Sequence, residues 1–257
     1  MELNLKDKVI LVTGGSKGIG RDISLVLKKE GANVYSLARP SLELNKLEKE
    51  DIKILECNAK NEDELDKSLH KIFKTEGRLD VLINNLGGVS TYSDFENLNE
   101  EDWKQSFEIN VLTAVRLVKK SLSLLIQSKS PKILNISSTV SVKPGFYNPH
   151  YSSMKAAINN LTIHLAKKYS DQNILVNALL LGPVLTEAFE ENILANWDKN
   201  RDFDKYRQEF IDLEKNKILL GKLGDPEEIG NMVAFLVSPR VTWLTGALIS
   251  LDGGKSL

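Results

Sequence analysis

The sequence contains very few of the residues that build disulfide frameworks and metal centres. Cys57 is the one cysteine among 257 residues, which excludes an internal disulfide and a cysteine-based zinc site. Three histidines are too few for a histidine-rich centre, so we expect no bound metal. Thirty-four basic side chains oppose 35 acidic ones, and this balance gives no charge excess for a nucleic-acid partner.

Long apolar runs are missing as well. No uninterrupted apolar stretch approaches the ~18–20 residues that span a bilayer, so we expect no membrane partner. The first residues, MELNLKDKVILVTGG, carry charges within their only apolar stretch, which is not the pattern of a signal peptide. With 42% hydrophobic and 27% charged residues, the chain is predicted to be a soluble globular protein of a reducing compartment, the cytoplasm.

Short apolar runs alternate with amphipathic helical patterns along the whole chain. This alternation is typical of βαβ units, in which parallel strands are covered on both faces and therefore read as continuous apolar runs. The predicted strands are 9–12, 33–38, 52–56, 79–83, 132–136, 174–181 and 247–251. The predicted helices are 19–29, 42–50, 62–75, 101–126, 151–169 and 226–237. We expect an α/β fold: one doubly wound domain over 1–257, with a seven-stranded parallel sheet flanked by helices.

A glycine-rich motif stands where the first strand turns into the first helix. It reads Thr-Gly-Gly-Ser-Lys-Gly-Ile-Gly from Thr13 to Gly20. Phosphates bind at such a turn because the helix start has free N–H donors and a positive dipole end, and glycine lets the backbone approach the ligand. The motif therefore predicts a dinucleotide site that includes Gly14, Ser16, Lys17, Gly18, Ile19 and Gly20.

The end of the second strand indicates which dinucleotide is bound. An acid there, about 20 residues after the motif, accepts hydrogen bonds from the adenosine ribose and favours NAD. This chain has Ala38 followed by Arg39, whose guanidinium suits a 2′-phosphate, and Lys17 offers a second positive charge. Both cations are also compatible with an ordinary solvated surface. We favour NADP(H) over NAD(H).

A third group of residues lies in the middle of the chain. Ser138 ends a predicted strand, Tyr151 follows thirteen residues later, and Lys155 comes four residues after that. Residues i and i+4 share a helix face, so the lysine ammonium is expected near the phenol. An ammonium lowers the pKa of a nearby phenol, which then exchanges a proton with a substrate oxygen. Of the six tyrosines only Tyr151 has this lysine, although the pattern by itself has little specificity.

Together these motifs resemble those of the short-chain dehydrogenase/reductase family, over essentially the whole chain and in the family's order. The resemblance implies a Rossmann-type fold. It covers the glycine motif, Asn84-Asn85-Leu86-Gly87 after the fourth strand, Asn110 within Glu108 to Val111, the Ser138, Tyr151 and Lys155 set, Gly182-Pro183, Thr186, and the endings Trp243 to Gly246 and Leu251 to Gly254. The subgroup it most resembles includes 3-oxoacyl-carrier-protein reductases.

The resemblance implies a role for each matching residue. Tyr151 would be the acid/base, Ser138 would polarise the carbonyl, Lys155 would bind the nicotinamide ribose, and Asn110 would hold a relay water. We favour these roles, although Asn110 is also compatible with a cap or kink of its helix, and Thr186 with a helix N-cap. The further expected cofactor contacts are Asn58, Asn85, Gly87, Pro183 and Thr186. Asn58 departs from the family pattern, since an aspartate is common at this position.

The substrate region is predicted to be a loop and lid at about 184–225. Its Phe203, Tyr206 and Phe210 follow helical spacing, which suits either an aromatic lid or a helix packed on the body or a neighbouring subunit. We expect an NADP(H)-dependent enzyme that interconverts a small-molecule carbonyl and a secondary alcohol, and that forms a homotetramer or homodimer. The alternatives are a 3-oxoacyl-carrier-protein reductase, an NAD-dependent alcohol or polyol dehydrogenase, and a catalytically silent nucleotide-binding protein.

Overall fold

The computed structural model describes residues 2–257. The strands are β1 Val9–Thr13, β2 Asn33–Ala38, β3 Lys53–Glu56, β4 Val81–Asn84, β5 Lys132–Ser138, β6 Leu175–Leu181 and β7 Leu248–Leu251. The helices are α1 Gly18–Lys29, α2 Leu42–Lys46, α3 Glu62–Glu76, α4 Glu100–Phe107, α5 Thr113–Leu125, α6 Pro149–Lys168, α7 Glu187–Ala195, α8 Phe203–Asn216 and α9 Pro226–Val237. A π-helical turn, Glu108–Leu112, joins α4 to α5.

The strands form one parallel seven-stranded sheet in the order β3-β2-β1-β4-β5-β6-β7. β1 pairs with both β2 and β4, so Val12 stands opposite Ser36 on one side and Ile83 on the other. The strand order reverses between β1 and β4. Ligands of open α/β sheets bind outside the carboxyl ends of the strands at such a reversal, because the two following connections diverge and leave a crevice.

Apolar side chains cover both faces of the sheet, as the doubly wound prediction requires. Along β1, Ile10 and Val12 join the buried cluster under α1 and α9. The alternate residues Val9 and Leu11 join the second cluster, under α3, α5 and α6. Successive strand residues point to opposite faces, so a strand buried on both sides is apolar throughout. The predicted fold class is confirmed, with one sheet and helices on both faces.

Two helical regions differ from the sequence prediction. The helix expected over 101–126 is divided by the π-helical turn into α4 and α5. The segment 184–225, expected as a loop and lid, contains two complete helices, α7 and α8. Within residues 2–257, no helix is both long enough and apolar enough to cross a membrane.

The segment 184–225, called the lid segment below, leaves and rejoins the body at one point. An isolated parallel bridge pairs Val184 with Gly224, and the Gly224 N–H donates to the Pro183 carbonyl at 2.9 Å. Between these residues, α7 and α8 are joined to each other by the Arg207–Glu190 ion pair and by an edge-on contact of Phe189 with Phe210. The lid segment is therefore a folded unit anchored at its base.

Candidate active site

The glycine-rich turn lies directly before and within the first turn of α1. The N-cap, Lys17, makes no side-chain capping bond, and the first turn of α1 contains no acidic residue. By contrast α2, α3, α4, α7, α8 and α9 all begin with a side chain that accepts a backbone N–H. Gly18 has φ +54°, a backbone conformation that glycine adopts without strain. Uncapped N–H donors in a glycine turn suit the diphosphate of a dinucleotide.

Close packing holds this turn against β4. A Cβ atom at Gly20 would lie 2.2 Å from the Gly14 carbonyl oxygen, so only glycine fits there. The Asn85 amide donates to the carbonyls of Thr13 at 2.9 Å and Gly14 at 3.2 Å. Asn85, predicted to line the cofactor cleft, thus ties the turn to the neighbouring strand end and fixes its shape.

The residues expected to read the adenosine end follow three adjacent strands. Lys17 follows β1, Arg39 follows β2 directly, and Asn58 follows β3. Arg39 is exposed and makes no ion pair within residues 2–257, whereas the Lys17 ammonium is paired with Glu191 of α7 at 3.0 Å. The side-chain oxygen Oδ1 of Asn58 accepts the Lys60 N–H at 3.2 Å in a local turn. Arg39 is therefore the readily available cation for a 2′-phosphate.

Helix α6 brings Tyr151 and Lys155 together, as the i, i+4 spacing predicted. The Lys155 ammonium lies 5.6 Å from the centroid of the Tyr151 ring and donates to the Ile136 carbonyl of β5 at 2.9 Å. Only 4% of Lys155 is exposed. A long charged side chain in such a site is held in one orientation by its hydrogen bond and by the surrounding packing.

The pKa of Tyr151 is raised in this structure, whereas the sequence analysis predicted that it is lowered. Burial raises the pKa of Tyr151 to about 12, although the nearby Ser138 hydroxyl acts in the opposite direction. Burial also lowers the pKa of Lys155 to about 8. Loss of hydration disfavours the charged forms of both groups and is the largest cause of both shifts.

Asn110 lies in the π-helical turn and contacts the chain after β4. Its amide nitrogen donates to the Gly88 carbonyl at 3.0 Å and to the Ser106 carbonyl at 3.0 Å, and its Oδ1 accepts the Gly88 N–H at 2.9 Å. A Cβ atom at Gly87 would lie 2.6 Å from Asn110 Oδ1 and 3.3 Å from the Lys155 ammonium. Gly87 is thus the point where the turn, α6 and the strand end converge. The π turn supplies the helix irregularity that the sequence left as an alternative for Asn110.

Ser138 ends β5 beside Leu181 of β6, its partner in the sheet register. Its hydroxyl donates to the Leu181 carbonyl at 3.3 Å and accepts the Val140 N–H at 3.4 Å. These weak bonds hold the hydroxyl at the carboxyl edge of the sheet. Its influence on the pKa of Tyr151 shows that the two hydroxyl groups face the same space.

The lid segment begins next to the glycine turn. Pro183 follows β6, and the Thr186 hydroxyl accepts the Phe189 N–H at 3.3 Å, which makes Thr186 the N-cap of α7. The lid aromatics contact one another: Trp197 meets Phe203 edge-on at 5.2 Å, and Phe210 contacts both Phe189 and Tyr206. These half-buried rings therefore pack in two groups within the lid segment.

Sequence reasoning missed three residues near the site. Tyr92, in the connection after β4, is near enough to raise the pKa of Tyr151. Glu187 and Glu191 of α7 pair with Arg21 and Lys17 across the glycine turn. The connection that carries Tyr92 has no periodic pattern to reveal it. The i, i+4 spacing of the two glutamates places them on one helix face and was a usable signal.

His150, the neighbour of Tyr151 in sequence, points elsewhere. Its ring is fully buried and packs edge-on against Trp103 of α4 at 6.2 Å. Within residues 2–257, no group of three or more His, Cys, Asp or Glu side chains is arranged to hold a metal ion.

Comparison with known proteins defines the class to which this fold and site belong. Residues 8–196 match the family model of short chain dehydrogenases. The chain belongs to this family of oxidoreductases, which act on CH–OH and C=O groups. The 7alpha-hydroxysteroid dehydrogenase of Clostridium sardiniense is 34% identical over 98% of this chain and 95% of its own length.

Two further proteins are similar over almost their full length. The 3-oxoacyl-acyl-carrier-protein reductase of Aquifex aeolicus is 30% identical over 99% of both chains. The structure of L-sorbose reductase from Gluconobacter frateurii, complexed with NADPH and L-sorbose, superposes with a TM-score of 0.90 at 27% identity. That match covers 99% of this chain and 98% of the reductase. Similarity across such different substrates identifies the fold and the reaction class.

Proposed function

We propose that the protein is an NADP(H)-dependent short-chain dehydrogenase/reductase that interconverts a carbonyl group and a secondary alcohol on a small molecule, with Tyr151 as the acid/base. The observation that carries this proposal is the convergence at Gly87. The Lys155 ammonium lies 3.3 Å, and Asn110 Oδ1 lies 2.6 Å, from the point that a Cβ atom on Gly87 would occupy. The Lys155 ammonium also lies 5.6 Å from the centroid of the Tyr151 ring.

The described residues fit a dinucleotide from one end of the crevice to the other. The glycine turn would hold the diphosphate, Arg39 and Lys17 the adenosine end, and Lys155 the ribose next to the nicotinamide. Gly87, Pro183 and Thr186 would line the nicotinamide end, with Asn58 at the adenine end. When bound, the nicotinamide supplies or accepts a hydride at the substrate carbon.

The proton steps belong to the chain's own residues. In the reduction direction, the Tyr151 phenol donates its proton to the developing alkoxide oxygen, and the Ser138 hydroxyl donates a hydrogen bond to the same oxygen. A pKa of about 12 keeps the phenol protonated at neutral pH, which suits a proton donor. The Lys155 ammonium stabilises the phenolate left behind, and Asn110 borders the route by which a proton returns.

Replacing Tyr151 by phenylalanine tests the assignment of the acid/base. Tyr151→Phe removes the hydroxyl and keeps the ring, so we expect kcat to fall by about 10²- to 10⁴-fold while the Kd for NADPH stays unchanged. Tyr147→Phe is the matched control, because Tyr147 is 70% exposed in the same region. Steady-state rates and cofactor titration report the two effects separately. A Tyr151→Phe enzyme with wild-type kcat contradicts the assignment.

The preference for NADP(H) is supported by Arg39 after β2 and by the absence of an acid at Ala38. The similar L-sorbose reductase was solved with NADPH. We expect NADPH to bind more tightly than NADH, and Arg39→Asp to reverse this order, because the carboxylate repels a 2′-phosphate and accepts from a ribose hydroxyl. Nicotinamide fluorescence titrations measure both Kd values. If Arg39→Asp leaves the ratio of the Kd values for NADPH and NADH unchanged, Arg39 does not determine the choice of cofactor.

The lid segment is the proposed substrate side of the site. Its aromatic rings contact one another. Tyr92, which is 37% exposed and lies outside the lid segment, acts to raise the pKa of Tyr151. A screen of small ketones, sugars, steroids and 3-oxoacyl thioesters with NADPH identifies the substrate class. The Aquifex aeolicus relative makes a 3-oxoacyl thioester the second candidate.

A further inference from the structure

Two carboxylates of the lid segment contact the proposed cofactor turn. Glu187 and Glu191 stand one helical turn apart on α7. Glu187 Oε1 accepts from the Arg21 guanidinium at 2.8 Å, and Glu191 Oε1 accepts from the Lys17 ammonium at 3.0 Å. Both cations belong to the turn and first helix that follow β1, so one face of α7 is attached to the proposed phosphate-binding element.

Glu187 lies directly at Gly18 of the motif. Its Oε2 is 3.6 Å from the position of a Cβ atom at Gly18. Partial burial acts to raise its pKa, but its own backbone N–H, the Arg21 guanidinium and the Gly18 N–H together hold the pKa of Glu187 below its usual range. An ionised carboxylate therefore stands at the start of α1, where an anionic ligand is favoured.

Glu191 acts on the other positive group of the turn. Lys17 is half-exposed, with 55% of its side chain accessible, and its one ion pair within residues 2–257 is with Glu191. An ammonium paired with a carboxylate has less attraction left for a second anion. A 2′-phosphate that reaches Lys17 must therefore share it with Glu191 or displace the carboxylate.

We propose that Glu187 and Glu191 are internal anions that compete with the cofactor for the glycine turn, Glu187 at the diphosphate position and Glu191 for the Lys17 ammonium that a 2′-phosphate needs. This inference rests on the proposed function. It makes Glu191 a specificity-determining residue on the lid segment, because its competition is felt by NADP(H) and not by NAD(H). Glu187 weakens both cofactors equally, since both contain the diphosphate.

The expected effects are a fewfold rather than orders of magnitude. Both ion pairs are largely solvent-exposed, and exposed pairs contribute little because water and salt screen them. Removing one competing carboxylate is therefore expected to lower the affected Kd by about two- to fivefold. Increasing salt weakens the competition, so the effect of each substitution is expected to shrink at high ionic strength.

Three glutamine variants separate the two roles. Glu187→Gln is expected to lower the Kd for NADPH and for NADH by the same factor, whereas Glu191→Gln lowers the Kd for NADPH alone. Glu190→Gln is the matched control. It removes the same charge from the same helix, but Glu190 pairs with Arg207 inside the lid segment. It is expected to change neither Kd. Fluorescence titration at low salt gives all values without turnover.

The outcomes distinguish this inference from the proposed function. Wild-type protein that binds neither cofactor overturns both. Wild-type protein that prefers NADPH, with Kd values unchanged in Glu187→Gln and Glu191→Gln, overturns the inference and leaves the proposed function standing. Weaker binding in either variant also overturns it, because the carboxylate then helps to retain the cofactor. Equal tightening in Glu190→Gln shows a general charge effect and rejects the specific assignment.

Discussion

The buried position of Lys155 makes its ammonium easier to deprotonate. Its ammonium is buried and has one carbonyl partner, that of Ile136. Its spacing from Tyr151 was evident from the sequence, and α6 confirms that the two residues share a helix face. The direction of their pKa shifts was not evident, because hydration is lost through packing by distant segments. The sequence predicted a lowered tyrosine pKa, whereas burial raises the pKa of Tyr151 and lowers that of Lys155.

The pH dependence of reduction follows from this pair. The pKa of Lys155 is lowered to about 8, so its positive charge is present below that pH and is lost above it. Tyr151 keeps its proton throughout this range because its pKa is raised to about 12. We expect kcat/KM for reduction to fall by about tenfold per pH unit above pH 8, since this parameter reports ionisations of the free enzyme.

Measuring kcat/KM from pH 6 to pH 10 tests for this decline, which forms the alkaline limb of the profile. Lys119→Met, which removes an exposed lysine, should keep the same limb. Lys155→Met should abolish the limb together with most of the rate, because no titratable ammonium is left beside Tyr151. A wild-type profile that stays flat up to pH 10 contradicts the assignment of this ionisation to Lys155.

At the scale of elements, the sequence predicted strands and long helices well and irregular helices poorly. The spacing of Phe203, Tyr206 and Phe210 predicted the helical pattern that α8 shows. The π-helical turn at Glu108–Leu112 was not predicted, because one extra residue in a turn leaves the apolar pattern on both sides intact. α7 was missed because it is short and buries few of its side chains, with Ile193 the one fully buried.

The Lys132 side chain supplies hydrogen-bond donors to carbonyls at the end of a helix. It lies in β5 with 4% exposed, and its ammonium donates to the carbonyls of Leu236, Ser238 and Val241 at the end of α9. The last carbonyls of a helix have no partner within it, and a lysine supplies donors for them. This single side chain therefore joins the end of α9 to the sheet.

Removing these donors should destabilise the fold. Lys132→Met keeps the length of the side chain but leaves buried carbonyls without a partner, so we expect the free energy of unfolding to fall by about 1–3 kcal/mol. Urea denaturation measures the change. Lys129→Met, an exposed lysine before the same strand, is expected to have little effect. A Lys132→Met protein as stable as wild type shows that the carbonyls are satisfied in another way.

At the scale of the molecule, the two-sided burial of every inner strand made the doubly wound sheet predictable. Five of the six connections join neighbouring parallel strands, and the connection from β3 to β4 crosses β2 and β1. Subunit assembly is not predictable in this way, because apolar side chains that face a sheet and those that face a partner look alike in sequence. The edge strand β7 and the residues near it leave Trp243 99% exposed and Leu248 37% exposed.

The dimer or tetramer expected from the family resemblance is testable at this edge. A sheet edge with exposed apolar side chains is a ready surface for another chain. We expect sedimentation to give the mass of two or four chains, and Trp243→Glu to lower it. Leu42→Glu, which introduces the same charge at an exposed leucine of α2, is expected to leave the mass unchanged. A monomeric wild-type protein contradicts this prediction.

The bridge between Val184 and Gly224 has a consequence for how such a protein can diversify. Because the chain leaves the body and returns to it at one place, the stretch between can change in length and composition without altering the sheet. Such a change would also exchange the carboxylates of α7 that contact Arg21 and Lys17. New substrate specificity and altered cofactor affinity would then be inherited together, as one exchangeable piece of chain.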